Sequence, residues 1–290
     1  MKVCGFSFIR NAVKFDYPIV EAITSVLPLC DEFILMLGNS EDETRKLVES
    51  IGSPKIKIYD SVWDDSLRVG GRVLAVETDK ALDKVSDDYD WAFYIQGDEV
   101  IHEKYLPPIK AAMERWKDDS QVEGLLFGYK HFYGYYDYIG DSTRWYRNEI
   151  RIIRPGIGVA SYRDAQGFRI DGRSLVVKPV DAEVYHYGWV KPPVKQQEKR
   201  KYFNSLWHND NWLRKNTIEG NEFDYSTIDS LSKFKDTHPA VMADRIKRVN
   251  WKFTYNPSQR KLSFKSRFKL GFEKAFGYRL WEYKNYTLLK

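Results

Sequence analysis

The feature that most limits the fold is an alternation of short apolar runs with amphipathic segments over the first 95 residues. Val3 to Ile9 is apolar and short, fit for a buried strand. Pro18 opens a helix with Ile19, Val20, Ile23, Val26 and Leu27 on one side, and Pro28 closes it. Glu32 to Leu37 is a second strand, ended by Gly38-Asn39. Ser40 with Glu43 reads as a capping box for a helix running to Gly52. Lys55 to Tyr59 is a third strand, and after a Trp- and Asp-rich loop the stretch Leu67 to Val85 has helical spacing. Trp91 to Ile95 is a fourth strand. Strands alternating with helices imply a parallel sheet covered on both faces, an α/β architecture of nucleotide-binding type.

The pattern then changes. Tyr105 to Trp116 reads as a helix; Glu123 to Phe132 and Glu149 to Ile153 read as strands separated by a Tyr/Gly/Asp loop. Ser174 to Val177 and Ala182 to Tyr187 read as two further strands, and Pro192-Pro193 precedes a long polar helix from Lys195 to Leu213. The remainder is irregular, basic and aromatic.

Composition excludes two classes. At 43% hydrophobic and 30% charged over 290 residues, the chain holds enough apolar material for a core, so disorder as the main state is excluded. Two cysteines in apolar contexts, Cys4 and Cys30, read as buried thiols and exclude a disulfide scaffold. The start shows no signal-peptide pattern, and no apolar run approaches the roughly 18 residues of a membrane helix, so a cytoplasmic protein is expected. Residues 231–290 hold 15 Lys or Arg against 4 Asp or Glu, whereas the first 230 residues hold 31 against 37. Within this basic end Phe264, Phe268 and Phe272 recur every four residues, and Lys261, Lys265 and Lys269 follow the same period. That spacing predicts a helix with an aromatic stripe beside a basic one, which could pack on the body or lie peripherally on the inner face of a membrane.

The most informative stretch for chemistry is Asp90-Trp91-Ala92-Phe93-Tyr94-Ile95-Gln96-Gly97-Asp98-Glu99. A buried strand ends abruptly in two carboxylates, at the strand end where open α/β sheets bind ligands. Oxygen ligands there suit Mg²⁺ or Mn²⁺ holding a diphosphate. Here the sequence resembles the family 2 glycosyltransferases of the GT-A fold. Their metal motif is an Asp-x-Asp closing the fourth strand, often preceded by Asp-Trp; this chain keeps Asp90-Trp91 and Asp98 but carries Gln96 at the first Asp. Arg10-Asn11 after the first strand, Ser40, Asp42 and Thr44 after the second, and Arg72 before the metal motif fall in the family's order.

The resemblance implies a GT-A-like mixed sheet flanked by helices over residues 1–190, with a nucleotide-binding half at about 1–100, an acceptor half at about 101–190, and a helical, basic extension at 191–290. It implies inverting transfer of a sugar from a nucleotide-diphosphate donor to a hydroxyl of a glycan or lipid-linked acceptor, assisted by a divalent cation, Mn²⁺ or Mg²⁺. The implied donor-binding residues are Arg10, Asn11, Ser40, Asp42, Arg72, Gln96 and Asp98. His186, in Tyr185-His186-Tyr187-Gly188, would join Asp98 as a metal ligand, while His102, His131, His208 and His238 read as structural or surface residues. An inverting transferase needs a carboxylate base after the metal motif. Asp164 is the first candidate and Glu149 the second. Arg147 and Arg151 could neutralise a diphosphate, bind an anionic acceptor, or form charge pairs at strand edges. No nucleic-acid partner is expected. The competing classes are a nucleotidyltransferase, which usually carries a Gly-rich phosphate loop absent after the first strand, and a catalytically degenerate sugar-nucleotide or glycan binder.

Overall fold

The computed structural model describes residues 1–216 and 219–290. The first half of the sheet is built from β1 (Val3–Ile9), α1 (Ile19–Val26), β2 (Glu32–Gly38), α2 (Thr44–Glu49), β3 (Ile56–Ser61), α3 (Arg72–Leu82) and β4 (Trp91–Tyr94). These four strands are parallel, in the order β3-β2-β1-β4. Alternate side chains feed two cores, as period-two geometry requires. Phe33, Leu35, Trp91 and Phe93 pack with α1 on one face, while Phe6, Ile34, Met36 and Tyr94 pack against α3 on the other. Both faces are covered, so the strands read as continuous apolar runs.

The chain continues through β5 (Glu99–Ile101), α4 (Leu106–Trp116), β6 (Gly124–Tyr133), β7 (Tyr135–Gly140) and β8 (Asn148–Ile153). A small sheet follows, formed by β9 (Val159–Tyr162), β10 (Gly167–Ile170) and β11 (Arg173–Ser174), and then the long β12 (Val176–Trp189). After it come α5 (Pro193–Trp207), α6 (Asp210–Lys215), β13 (Leu231–Lys233), α7 (Ala243–Lys247), α8 (Phe264–Phe276) and β14 (Thr287–Leu288). β8 inserts antiparallel between β4 and β6, and β12 runs parallel to β6 and antiparallel to β5. The result is a mixed, GT-A-like α/β sheet flanked by helices, with β13 and β14 added from the C-terminal segment. Both cysteines are buried and free. Among the described residues no helix is long and apolar enough to cross a membrane.

Several expected elements differ. The helix expected over 67–85 begins only at Arg72, because Gly70 and Gly71 both take positive φ and break its start. Ser40 caps no helix: α2 starts at Thr44, and the Ser40 hydroxyl instead donates to Gly38 O and accepts from Asn11 N. The Tyr/Gly/Asp loop contains β7, which folds back on β6 through Gly134 at φ 71°. The two strands expected at 174–187 are one strand with a register shift between Pro179 and Glu183, where proline cannot donate to the ladder. The helix expected over 195–213 breaks at His208, and Asn209 caps a second helix by accepting from Trp212 N. The hairpin sheet β9–β11 and the strand β13 lie in stretches too short and polar to show a period.

One ion pair inside this core sets the loop after β4. Glu99 and Arg151 are 0% and 1% exposed. Arg151 Nε donates to Glu99 Oε2 at 2.8 Å and Nη2 to Oε1 at 2.7 Å. Tyr129 Oη donates to Oε1 at 2.7 Å and Gln96 N to Oε2 at 3.1 Å, so both carboxylate oxygens are doubly satisfied. Removing one partner strands a buried charge, which costs about 3–5 kcal/mol. Arg151→Met is therefore expected to lower unfolding stability by that amount in urea titration, with Glu99→Gln/Arg151→Met recovering a substantial part. A loss below about 1 kcal/mol, the scale of an exposed pair, would contradict this account of the loop.

Candidate functional site

The C-terminal ends of β1, β2 and β4 meet at one edge of the sheet. There the β1–α1 and β2–α2 loops are stitched together by four of the residues expected at a nucleotide. Asn11, at φ 55°, accepts from Glu41 N at 2.8 Å through its side chain and donates its own N–H to Ser40 Oγ at 3.0 Å. Asp42 accepts from Lys14 N at 2.6 Å and from Thr44 N at 3.0 Å. Arg10 donates to Asn39 O at 3.2 Å, pairs with Asp65 at 2.9 Å and lies over the Trp63 ring at 5.4 Å. The Trp63 indole N–H is buried and has no hydrogen-bond partner among the described residues. It is packed against Gly38, where a Cβ would clash with the indole nitrogen.

The Glu99–Arg151 pair turns Glu99 inward, and Asp98, its chain neighbour, to the opposite side. Lys199 Nζ, from α5, sits 3.1 Å from Asp98 Oδ2 and 3.2 Å from Gly188 O. His186 Nε2 lies 3.8 Å from Asp98 Oδ1. Burial alone would raise the Asp98 carboxyl; the Lys199 ammonium outweighs it and holds the group well below the usual carboxylate range. A Cβ at Gly188 would stand 2.6 Å from His186 Nε2 and 2.7 Å from Asp98 Oδ2, so only glycine keeps the gap between them open. The Gln96 amide points elsewhere, donating to Ala165 O at 3.0 Å.

His131, read from sequence as structural or surface, backs His186: the two Nδ1 atoms are 3.1 Å apart, and His131 Nε2 is 2.8 Å from Tyr146 O. Burial pushes His131 down to about 3, so its ring is neutral. A carbonyl only accepts, so the proton of His131 is on Nε2, its Nδ1 accepts from His186, and His186 Nε2 presents a lone pair toward Asp98.

A carboxylate and a lone pair aimed at one gap call for a cation, and Lys199 already supplies one. Among the described residues no three His, Cys, Asp or Glu side chains gather as a metal cage. A dication about 4 Å from an ammonium is repelled by on the order of 8 kcal/mol at an effective dielectric of about 20. The donor set therefore does not fit a resident Mn²⁺ or Mg²⁺: the expected pair, Asp98 and His186, does converge, but on a gap whose cation is a lysine.

A cavity of about 640 Å³, lined by Arg72, Asp79, Ser161, Asp164, Gln166 and Trp207 among others, is tied to the Asp98 loop through the bond from Gln96 to Ala165, the neighbour of Asp164. Asp164 is held there between Arg163 and Ala165, both at positive φ, and the close approach of Gly71 to Asp164 and Trp207 leaves no room for a Cβ. Burial raises the Asp164 carboxyl. Asp79, which sequence did not single out, is pushed up to about 6 by burial although Ser161 N donates to it at 2.6 Å. Glu149 is outside the cavity lining; it is buried under Gly167, with Asn285 Nδ2 at 3.4 Å. Of the readings open for Arg147 and Arg151, charge pairing is the one observed. Arg147 bonds Glu273 and Glu282, and Arg151 bonds Glu99, so neither is directed at a diphosphate. Sequence also missed Lys199 and Trp207, because a lysine and a tryptophan on a polar helix carry no local signal of what they face.

No protein-family model and no curated protein matches the chain. Solved structures are similar in part. S. aureus TarS matches at 15% identity with a TM-score of 0.40, over 70% of this chain and 39% of its own. TarS 1-349 in complex with UDP matches at 15% identity and 0.39, over 70% and 64%. Glucosyl-3-phosphoglycerate synthase from Mycobacterium tuberculosis, in complex with Mn²⁺, UDP and phosphoglyceric acid, matches at 19% identity and 0.30, over 46% and 43%. The chain thus spans less than two thirds of the length of each of these structures, and a likeness this slight transfers no activity.

Burial pushes Glu149 from its ordinary 4.5 up to about 7. The folded chain therefore binds this proton more tightly than the unfolded chain. Its contribution is fully present below pH 4.5 and is lost as pH rises through about 7, on the order of 3 kcal/mol in all. Urea titrations at pH 5, 6, 7 and 8 should show stability falling with pH, and Glu149→Gln should flatten that slope. An unchanged slope in the variant would contradict the burial argument.

Proposed function

We propose that this chain transfers a sugar from a nucleotide-diphosphate donor to a hydroxyl of a glycan or lipid-linked acceptor, with inversion at the anomeric carbon. The observation that carries this reading is the link between the Asp98 loop at the end of β4 and the cavity that holds the raised Asp164 carboxyl, made by the Gln96 amide donating to Ala165 O. The nucleotide half is residues 1–100 and the acceptor half 101–190, with 191–290 as an extension that adds α5 to the site.

The nucleoside lies against the loops of Arg10, Asn11, Ser40 and Asp42, beside the Trp63 ring that Arg10 covers. The diphosphate reaches the gap at Asp98, and the sugar extends past Gln96 into the cavity bordered by Arg72. Asp164 takes the proton of the acceptor hydroxyl as its oxygen bonds the anomeric carbon, and the bond to the diphosphate breaks on the opposite face. Burial makes Asp164 a stronger base than an exposed carboxylate. Glu149, outside the lining, is the reserve candidate.

The acceptor side supports a lipid surface. No residue of α8 is buried, and Phe264, Phe276 and Trp281 are 87%, 71% and 71% exposed. Lys261, Lys265 and Lys269 accompany them in a segment of strong net positive charge. Aromatic side chains beside lysines fit an anionic bilayer interface, where each basic residue contributes roughly 1 kcal/mol.

Two measurements check this reading. Release of nucleoside diphosphate from a panel of nucleotide sugars, with and without glycan and lipid-linked acceptors, should identify a donor. Asp164→Asn should then lower turnover by about 10²-fold or more while donor affinity stays within about twofold. A donor that binds without turnover under any condition would favour a degenerate binder, and normal turnover in the variant would move the base to Glu149. Separately, the full chain should sediment with phosphatidylserine vesicles at low salt and be released at high salt, and Phe264→Ser/Phe268→Ser should weaken that binding. A chain that stays in the supernatant at low salt has no such membrane contact.

A further inference from the structure

The helix α5 crosses the C-terminal ends of β1 and β4 and is anchored there by aromatic contacts. Tyr202 stacks on Phe15 at 4.8 Å. The Lys199 ammonium lies 4.8 Å from the Tyr17 ring and 5.3 Å from the Phe203 ring, so the side chain is held between two aromatic faces. Its head group has three N–H donors. Two of them have acceptors, Asp98 Oδ2 and Gly188 O. A second lysine, Lys191, is 0% exposed and lies over the same Tyr17 ring, donating to Asp16 O at 2.7 Å.

The charges around this head group balance in one way. Glu99 and Arg151 neutralise each other in a closed pair and offer nothing to a ligand. Gln96 is neutral and turned toward Ala165. One carboxylate, Asp98, therefore contacts one ammonium, Lys199, with the His186 ring beside them and with Lys191, which burial pushes well below the ordinary lysine range, over the shared Tyr17 ring. A single carboxylate balances a monocation, whereas a dication would call for a second carboxylate that position 96 does not supply. An arriving diphosphate meets a positive group that is already oriented, and needs no ion from solution.

We propose that Lys199 is the cation for the leaving diphosphate, so that donor binding and transfer proceed without a divalent metal. This rests on the transferase reading. As the anomeric carbon–oxygen bond breaks, its electron pair passes to the diphosphate oxygen, and the remaining Lys199 N–H hydrogen-bonds the charge that develops there. The acceptor oxygen forms the new bond and its proton goes to Asp164. Lys199 touches the leaving group and transfers no proton; Asp98 and Gly188 O position it.

The test is isothermal titration calorimetry of the full chain with UDP, GDP, ADP and CDP, each in EDTA and in Mn²⁺ or Mg²⁺. At least one nucleotide is expected to bind in EDTA, with an affinity that metal changes by less than about threefold. Lys199→Met keeps the aromatic packing and removes the charge; it should weaken the diphosphate by about 10- to 100-fold, the scale of a lost hydrogen bond to a charged group, and weaken the matching monophosphate far less. Lys199→Arg should restore most of the affinity. Binding that disappears in EDTA and returns with Mn²⁺ overturns the inference and leaves the transferase reading standing. So does Lys199→Met binding the diphosphate as the wild type does. If none of the four binds with or without metal, the transferase reading falls and this inference with it. Should Lys199→Met fail to fold, the wild-type comparison in EDTA and Lys199→Arg decide the matter.

Discussion

The buried pair of Glu99 and Arg151 is the constraint on which the rest of the site depends. Two ions taken out of water are costly unless their geometry is close and their remaining lone pairs are met. Here the contact is bidentate, and Tyr129 and the Gln96 amide complete the carboxylate. The main chain between Gln96 and Glu99 is thereby pinned to the core at both ends. Glu99 is fixed inward, and Asp98, in the turn closed by Glu99 N donating to Gln96 O, faces His186 of β12 and Lys199 of α5. The Tyr187 N–H, donating to Asp98 O at 2.8 Å, secures the same loop from the other strand.

The site is then a set of nested electrostatic choices. One carboxylate in the loop is neutralised by arginine from within the sheet. The next is neutralised by a lysine from a helix that arrives a hundred residues later. Burial lowers the imidazole of His186, and a second, buried histidine orients it. Gly188 matters because the gap between Asp98 and His186 has no room for a side chain. The cavity carboxylates stand apart from these pairs. Asp79 and Asp164 are raised by burial, so the two sets of carboxylates sit in separate environments.

Elements with a strong period were legible in the sequence: the apolar runs of β1, β2 and β4, the proline-opened α1, and the four-residue aromatic repeat that became α8. Signals with two physical meanings were misread. Ser40 followed by Glu43 is a capping pattern, but the hydroxyl was claimed by the loop next door through Asn11. Loops that fold through residues at positive φ, such as Arg163 and Ala165, gave no pattern at all. In the site, Asp98 was singled out because a strand end marks it locally, and His186 through the resemblance to family 2 glycosyltransferases. Lys199 and His131 were not, since their roles come from β12 pairing with β5 and β6 and from α5 crossing the sheet, contacts set by tertiary structure alone.

The most direct test is a crystal structure of the chain grown with Mn²⁺ and the nucleoside diphosphate that binds it, with anomalous data collected at the manganese edge. The account predicts the nucleoside against Arg10 and Trp63, the diphosphate hydrogen-bonded to Lys199 Nζ, and no manganese between Asp98 and His186. A manganese ion held by Asp98 and His186 with Lys199 displaced, or a nucleotide bound away from the ends of β1 and β4, would contradict it.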